Sequence, residues 1–588
     1  MIAALELAWA SGRARLLLRM ALAVLGSAVP VAAAWLTKDV LDRVAADRPV
    51  LASALLLAVA GGAAALVPQV IQYVEAEAQR AVDLTARERL YGALARMPGL
   101  RRLEDPRFHD RLSLAAETGP TGPSEVVGGA LGAAQGLLML GGFVGTLVVL
   151  NAWMLVPVLL AGAVALHGQF RLGRFRARLH GGLGHALRRE FFYAQLLTSL
   201  SAAKEVRLFG LGGLFGARML TELRWSNAQR RRMDRRELLV QAGHGLLGSV
   251  VAGAGLVWAV GAARAGRLTV GDVSMFVAAV AGVQAGLTVM VSSLGRTQEA
   301  LLLFGHYRHV VTAGPDLPAV AEGEVPPLRH GIELRDVWFR YGEDLPWVLR
   351  GVNLTIPAGA ATALVGPNGG GKSTLVKLLC RFYDPTRGAI LWDGTDLREL
   401  PVAGLRRRIG TVFQDFMAYE LSAAENIAVG DPDAREDRAR IVAAARRAGC
   451  DRALAALPWG YDTVLSRAFE SAEQDDPGSG VLLSGGQWQR VALARALLRD
   501  RADLLILDEP SSGLDAEAEA EVHRGLREHR AGRTSLLVSH RLSTVRDADA
   551  IVALEEGAVA ERGTHDALLR AGGLYARLFT LQATGYRD

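Results

Sequence analysis

Cysteine is scarce: Cys380 and Cys450 are the only two in 588 residues, both in the second half, so no disulfide framework is implied. Charge is missing too, but only in places. Up to about Leu303 the chain is built from Leu, Ala, Val and Gly runs broken by blocks of arginine; after Pro326 it reads as ordinary soluble α/β sequence. A hydrophobic content of 51% and a mean hydropathy of +0.21 are high for a soluble protein, and the excess sits in the first half. The length excludes a single core and predicts several domains. A net charge of +6 does not point to nucleic acid, because the arginines lie between apolar runs, as on the cytosolic side of a membrane protein.

Six apolar stretches come near the ~20 residues that a helix needs to cross a bilayer. They are Met20–Leu36, Val50–Val74, Val126–Leu150, Trp153–Gln169, Leu238–Ala263 and Val273–Leu294, the fourth being short unless its helix extends. Arg13, Arg15 and Arg19 before the first run resemble a signal peptide, but the later spans predict an uncleaved first helix. Basic loops stay inside. The segments between spans two and three (Arg80 to Arg111) and between four and five (Arg171 to Arg236) are arginine-rich, whereas the opposite loops are short. Both termini are therefore expected in the cytosol, with the protein multi-pass in the cytoplasmic (inner or plasma) membrane. The outer loop Lys38–Arg48 is a local exception, its basic residues interleaved with Asp39, Asp42 and Asp47.

Each inner segment is helical in pattern with a break and a short helix. Asp105-Pro106 places a cap before a proline and Arg107–Ala116 follows; Ser201–Phe209 ends at Gly210. These tips are expected to pass force to a soluble motor. The expected domains are 1–310 in the membrane, a Pro/Gly/Glu-rich linker over 311–330, and a soluble domain over 331–588.

That domain carries dense chemistry. Thr362–Val365 reads as a strand and Leu375–Leu379 as a helix; between them runs Gly366-Pro-Asn368-Gly369-Gly-Gly371-Lys372-Ser373-Thr374. This is G-x-x-x-x-G-K-S in its strand–loop–helix setting, a loop that binds a nucleoside triphosphate. Its glycines let backbone N–H groups close around phosphate, Lys372 adds charge, and Ser373 offers a hydroxyl to Mg²⁺. Leu504–Leu507 is a buried strand ending in Asp508-Glu509: Asp508 is placed for Mg²⁺ and Glu509 to polarise the attacking water. Leu483-Ser484-Gly485-Gly486-Gln487 opens a helix over Trp488–Arg499, a second anion-binding N-terminus. Two phosphate surfaces with one catalytic acid make sense if two copies pair head to tail.

This combination resembles the ATP-binding cassette (ABC) transporters, and six spans ahead of the nucleotide domain resemble the exporter-type half-transporter. The resemblance implies an all-α membrane domain fused to a soluble α/β P-loop domain, with ATP and Mg²⁺ as cofactors. It implies further roles: Tyr341 stacks on adenine, Gln414 contacts Mg²⁺, Ser512-Gly-Leu-Asp515 crosses the dimer interface, and His540 reaches the γ-phosphate. The implied function is ATP-driven export of a peptide or hydrophobic small molecule by a homodimer in the lipid bilayer, with no nucleic acid. An importer on the same architecture and an ATP-gated channel or sensor are the alternatives. Trp488 and the run Glu473-Gln-Asp475-Asp476 depart from the usual pattern and are similar to bacterial lantibiotic-type peptide exporters. The acidic segment 471–480 is expected as a surface loop, either a tolerated insertion with no role or one that meets Arg107, Arg111 and Arg207. Intramembrane Gln72, His167, Gln241, His244 and Gln284 either line a pathway or bond between helices.

Overall fold

The computed structural model describes the chain except residues 120, 152, 154, 319–322, 467–479, 512–518, 520–521, 523, 527–531, 542–544 and 585–588. The acidic segment 471–479, Asp515 and the rest of its segment after Ser511 thus lie outside the described residues. Contacts divide the chain into two units, Met1–Leu94 with Arg107–Ala313, and Ala95–Pro106 with Gly314–Asp588.

The first unit is helical: α1 (Ile2–Ser11), α2 (Arg13–Ala45), α3 (Leu51–Ala95), α4 (Pro106–Thr118), α5 (Gly122–Asn151), α6 (Leu155–Thr198), α7 (Leu200–Leu208), α8 (Gly212–Arg264) and α9 (Val270–Val311). Among the described residues α2, α3, α5, α8 and α9 are long and apolar enough to cross a membrane, and the fourth expected stretch lies on the extended helix α6. At ~1.5 Å per residue, α3 with 45 residues and α8 with 53 are about two to three times as long as a ~30 Å hydrocarbon core is thick, so their charged halves continue beyond it. Val59, Leu66, Leu246 and Val257 are each more than 65% exposed, which suits a lipid-facing surface and not a soluble bundle. Both short helices form: Pro106 opens α4, and Gly210 follows α7 with φ +64°.

Without a hydrophobic drive between helices in lipid, close approach through small residues holds the bundle. Helices α5 and α9 show it. A Cβ at Gly132 would stand 2.4 Å from Ser293 Oγ, and one at Gly136 2.7 Å from the Met290 nitrogen. Trp35 donates to Thr146 across α2 and α5 at 3.2 Å, and the Tyr307 hydroxyl to the Ala86 carbonyl across α9 and α3 at 3.0 Å. Two of the basic residues of the outer loop are paired. Lys38 lies 2.7 Å from both Asp42 and Asp272, and Arg43 2.8 Å from Asp39. Gln241 bonds Glu237 within its own helix.

The second unit holds two sheets. Strands β1 (Gly331–Phe339), β2 (Leu349–Pro357), β4 (Arg387–Trp392) and β5 (Thr395–Asp396) form an antiparallel sheet ordered β2-β1-β4-β5. Strands β3 (Ala361–Val365), β6 (Ile409–Val412), β7 (Leu504–Asp508), β8 (Thr534–Val538), β9 (Ala550–Glu555) and β10 (Ala558–Gly563) form the other, ordered β10-β9-β3-β8-β7-β6. It is parallel except for the edge strand β10. Buried on both faces, its strands are mostly apolar, as β7 (Leu-Leu-Ile-Leu-Asp) and β8 (Thr-Ser-Leu-Leu-Val) show. Residues Ala95–Pro106 pack into this unit. The Leu100 N–H donates to the Phe382 carbonyl at 3.1 Å, Arg406 donates to the Pro98 carbonyl at 2.5 Å, and Glu104 lies 2.7 Å from Lys377 while accepting from the Tyr383 hydroxyl.

Candidate functional site

The site gathers at the carboxyl ends of β3 and β7, where open parallel sheets present ligand sites. After β3 the chain turns through Gly366, Gly369 and Gly371 at φ +146°, +80° and +96°, backbone that favours glycine. Space forbids a side chain as well: a Cβ at Gly366 would stand 2.1 Å from the Leu554 carbonyl oxygen, and one at Gly371 2.6 Å from Leu349 Cδ2. The helix Lys372–Leu379 then starts from Gly371 with no side-chain cap, so its first N–H groups are left for an incoming anion. Lys372 Nζ donates into the loop, to the carbonyls of Gly366 at 2.8 Å and Pro367 at 3.0 Å. Burial lowers the Lys372 pKa, and the nearby Asp508 and Glu509 oppose that shift. Asn368, Gly369 and Ser373 are exposed at the rim, while Thr374 is buried and its hydroxyl lies 3.1 Å from that of Tyr341.

Two carboxylates face the loop. Asp508 ends β7, only 5% exposed, and its pKa is pushed up to about 6 by burial first and by Glu509 next; Lys372 and a hydrogen bond from Ser373 pull it down. Glu509 sits at φ +51°, a left-handed conformation that costs a non-glycine residue ~1–3 kcal/mol. Its N–H donates to the Val538 carbonyl at 2.8 Å, and its carboxylate lies 2.7 Å from His540 Nδ1 and accepts from Gln414 Nε2 at 3.1 Å. Such strain is held where the surroundings over-determine it, and it aims the carboxylate between these two side chains. The structure thus brings Lys372, Ser373, Asp508, Glu509, Gln414 and His540 into one cluster.

Ser484, Gly485, Gly486 and Gln487 form a different end. The helix runs Gly485–Leu497 and begins earlier than the Trp488 expected from the sequence, because Ser484 and Gln487 make a capping box that fixes both glycines in the first turn. Ser484 Oγ accepts from the Gln487 N–H at 3.3 Å, and the Gln487 side chain accepts from the Ser484 N–H at 2.8 Å. Ser484 and Gly485 are exposed.

One residue escaped the sequence reading. Gln489, buried on this same helix, donates to the Glu509 carbonyl at 2.8 Å and so ties the helix to the backbone of the residue that carries the carboxylate. The signal was a polar residue set against Val491, Ala492 and Leu493, a buried run that has no use for an amide without a partner. Tyr341 is less open than a free stacking platform. Its ring meets Phe339 and Tyr383 edge-on at 4.9 and 5.3 Å, and the Lys377 ammonium lies 5.3 Å from its centre.

Mg²⁺ keeps several waters and needs only one or two carboxylates beside substrate phosphates. Among the described residues no cluster of three His, Cys, Asp or Glu side chains could hold a metal alone. Ser373 next to the buried Asp508 suits the smaller demand of Mg²⁺: a hydroxyl and an acid whose pKa is raised by burial first and by the neighbouring Glu509 next.

Residues 349–512 match the family model described as ABC transporter. A lipid A-core flippase described as ATP-dependent, from Alkalilimnicola ehrlichii, is 36% identical over 445 residues, covering 74% of this chain and 71% of the flippase. A mitochondrial potassium channel ATP-binding subunit from Xenopus tropicalis is 41% identical over 57% of this chain and 46% of its own length. The chain spans less than half the length of several of the curated relatives it matches. A solved structure described as a bacterial Atm1-family ABC exporter with ATP bound superposes with a TM-score of 0.82 at 25% identity, covering 97% of this chain and 98% of that one. With the loop, the acidic strand end and the capped Ser-Gly-Gly turn in place, the chain belongs to the ATP-binding cassette transporters, as an exporter-type half-transporter.

Proposed function

We propose that two copies of this chain pair head to tail, hydrolyse ATP at two shared sites, and use the cycle to drive export through the membrane unit. The observation that carries the reading is Glu509, held between His540 and Gln414 beside the buried Asp508 and the loop lysine. The uncapped helix end and Lys372 bind the phosphates. Ser373, Asp508 and Gln414 would hold Mg²⁺, which supplies charge neutralisation at the phosphates. Glu509 orients a water and accepts its proton; His540, hydrogen-bonded to the same carboxylate, keeps it aimed at the γ-phosphate. Tyr341 packs near the adenine. Ser484, Gly485, Gly486, Gln487 and Asp515 complete the site of the second copy.

Closure of the nucleotide units would be passed to the spans through Ala95–Pro106, which already packs on Phe382, Tyr383 and Lys377. The spans then switch from inward- to outward-facing in the cytoplasmic membrane, both termini inside. The substrate is a peptide or an apolar small molecule, and the relatives described as lipid A-core flippases add lipids to that panel. The test uses purified protein in lipid vesicles. Mg²⁺-dependent ATPase activity that rises with a transported compound, and accumulation away from the nucleotide side, are expected. Accumulation on the nucleotide side, or ATPase that no membrane-soluble compound moves, contradicts export.

A further inference from the structure

Glu509 is held against its own backbone preference. It stands at φ +51°, and it precedes Pro510, which pushes the residue before it toward extended backbone. Hydrogen bonds on both its backbone and its side chain keep it there. The N–H donates to the Val538 carbonyl, the carboxylate meets His540 and Gln414, and the carbonyl accepts from Gln489 Nε2 at 2.8 Å. Val538 ends β8, His540 follows it, and Gln414 follows β6. Gln489 comes from elsewhere. It stands on the helix Gly485–Leu497, whose first turn is the capped, exposed Ser484 end.

The packing of that helix does not call for an amide at this position. Gln489 is buried beside Val491, Ala492 and Leu493, and Val491 and Leu493 belong to the apolar core. A buried donor needs a partner. Here the partner is the peptide carbonyl of the residue that the hydrolysis reading uses as its base. Gln489 follows Ser484 by ~7.5 Å of helix axis, at ~1.5 Å per residue. A rigid element of this length carries a shift at one point to the other, so movement of the Ser484 turn reaches the Glu509 carbonyl through this amide.

We propose that Gln489 is a positioning residue for ATP hydrolysis. Its hydrogen bond holds Glu509 in the left-handed backbone that aims the carboxylate, and it makes that aim depend on the helix whose turn meets a second copy. Each copy's base is thereby tied to the element that touches the other copy's nucleotide. The inference rests on the paired-copy reading for this last link, and on the chain's own geometry for the rest.

The first measurement uses full-length protein in lipid vesicles. Gln489→Met keeps the bulk of the side chain and removes the donor. Turnover should fall about tenfold while KM for ATP stays within about twofold, the pattern of a contact that counts in the transition state. Nucleotide binding on the same samples shows that the site is folded. Gln489→Asn, an amide one methylene too short to reach, should show the same split, so the result does not hang on one variant. Val491→Ala opens a hole on the same helix and leaves the amide alone. It should lower thermal stability while keeping turnover within about twofold. An equal loss of turnover in Val491→Ala, or a raised KM with normal turnover in Gln489→Met, would overturn the proposal.

Mixed dimers then locate the effect. With Ser484→Arg in one chain, Gln489→Met in the other chain spares the remaining site, and about half of wild-type ATPase is expected. Gln489→Met in the same chain as Ser484→Arg strikes the Glu509 of that remaining site, and activity should be about tenfold lower. The reverse ranking would mean that Gln489 acts through the turn and not through Glu509, which would also overturn the proposal. Mixed dimers that are inactive in both arrangements contradict the shared site itself, and the turnover-against-KM split then decides the role of Gln489 alone.

Discussion

The soluble unit has two helix N-termini that carry glycines, and they differ in what they leave undone. At Lys372–Leu379 the glycine Gly371 is left-handed, no side chain caps the helix, and a lysine and two acids crowd the opening. At Gly485–Leu497 Ser484 and Gln487 cap one another, nothing lies within 4 Å of a Cβ at Gly485, and the turn is exposed. The first end has donors without acceptors and charge around them, the makings of a phosphate site. The second is finished as a helix end and unfinished as a site. Two such surfaces make sense as halves of one site shared between copies.

Substitutions at the first end should hurt most. Glu509→Gln keeps the shape and hydrogen bonding of the side chain but cannot take a proton, so turnover should fall ~10²–10⁴-fold while nucleotide binding persists. ATPase assays with a parallel nucleotide-binding measurement decide it, and near-normal turnover would remove Glu509 as the base.

Asp508 gives a stability effect of the opposite kind. Its pKa is raised to about 6 from 3.8, so the folded chain holds a proton that the unfolded chain has released. Stability from this group is present below the lower value and lost as pH climbs from about 4 to about 6, by at most ~3 kcal/mol. Denaturant midpoints of nucleotide-free protein should therefore fall less over that range in Asp508→Asn than in the wild type. Parallel curves would mean that the buried acid is not strained by its neighbours.

The smallest effect separates the two ends directly. Gly371→Ala places a Cβ against Leu349 in left-handed backbone and should cost ~1–3 kcal/mol of stability. Gly485→Ala enters a helical position with open space and should change stability by no more than ~1 kcal/mol, yet lower ATPase if, as proposed, this turn completes the site of a second copy. Thermal unfolding with ATPase on the same samples checks both; equal destabilisation would erase the distinction.

Much of this was legible in the residues. The glycines of the first loop announce their own backbone, since left-handed φ and crowding by Leu554 exclude other side chains. The spans announce themselves by length and hydropathy, and the capping-box spacing of Ser484 and Gln487 was there to be read. Other features depend on partners far along the chain. Nothing local in Ala95–Pro106 tells that Glu104 will meet Lys377, 273 residues on, or that Pro98 will accept from Arg406. Gln489 is similar: its amide is explained only by the carbonyl of Glu509, on a different element. Pairing of side chains is a tertiary fact, and pattern within one segment does not encode it.

The central claim, that each copy completes the other's site, is tested by mixing two disabled chains. Ser484→Arg leaves the phosphate loop intact and Lys372→Ala leaves the capped turn intact. Each variant alone should be nearly inactive, and verified mixed dimers, which hold one intact composite site, should regain up to about half of wild-type ATPase. Mixed dimers as inactive as either parent would contradict the account.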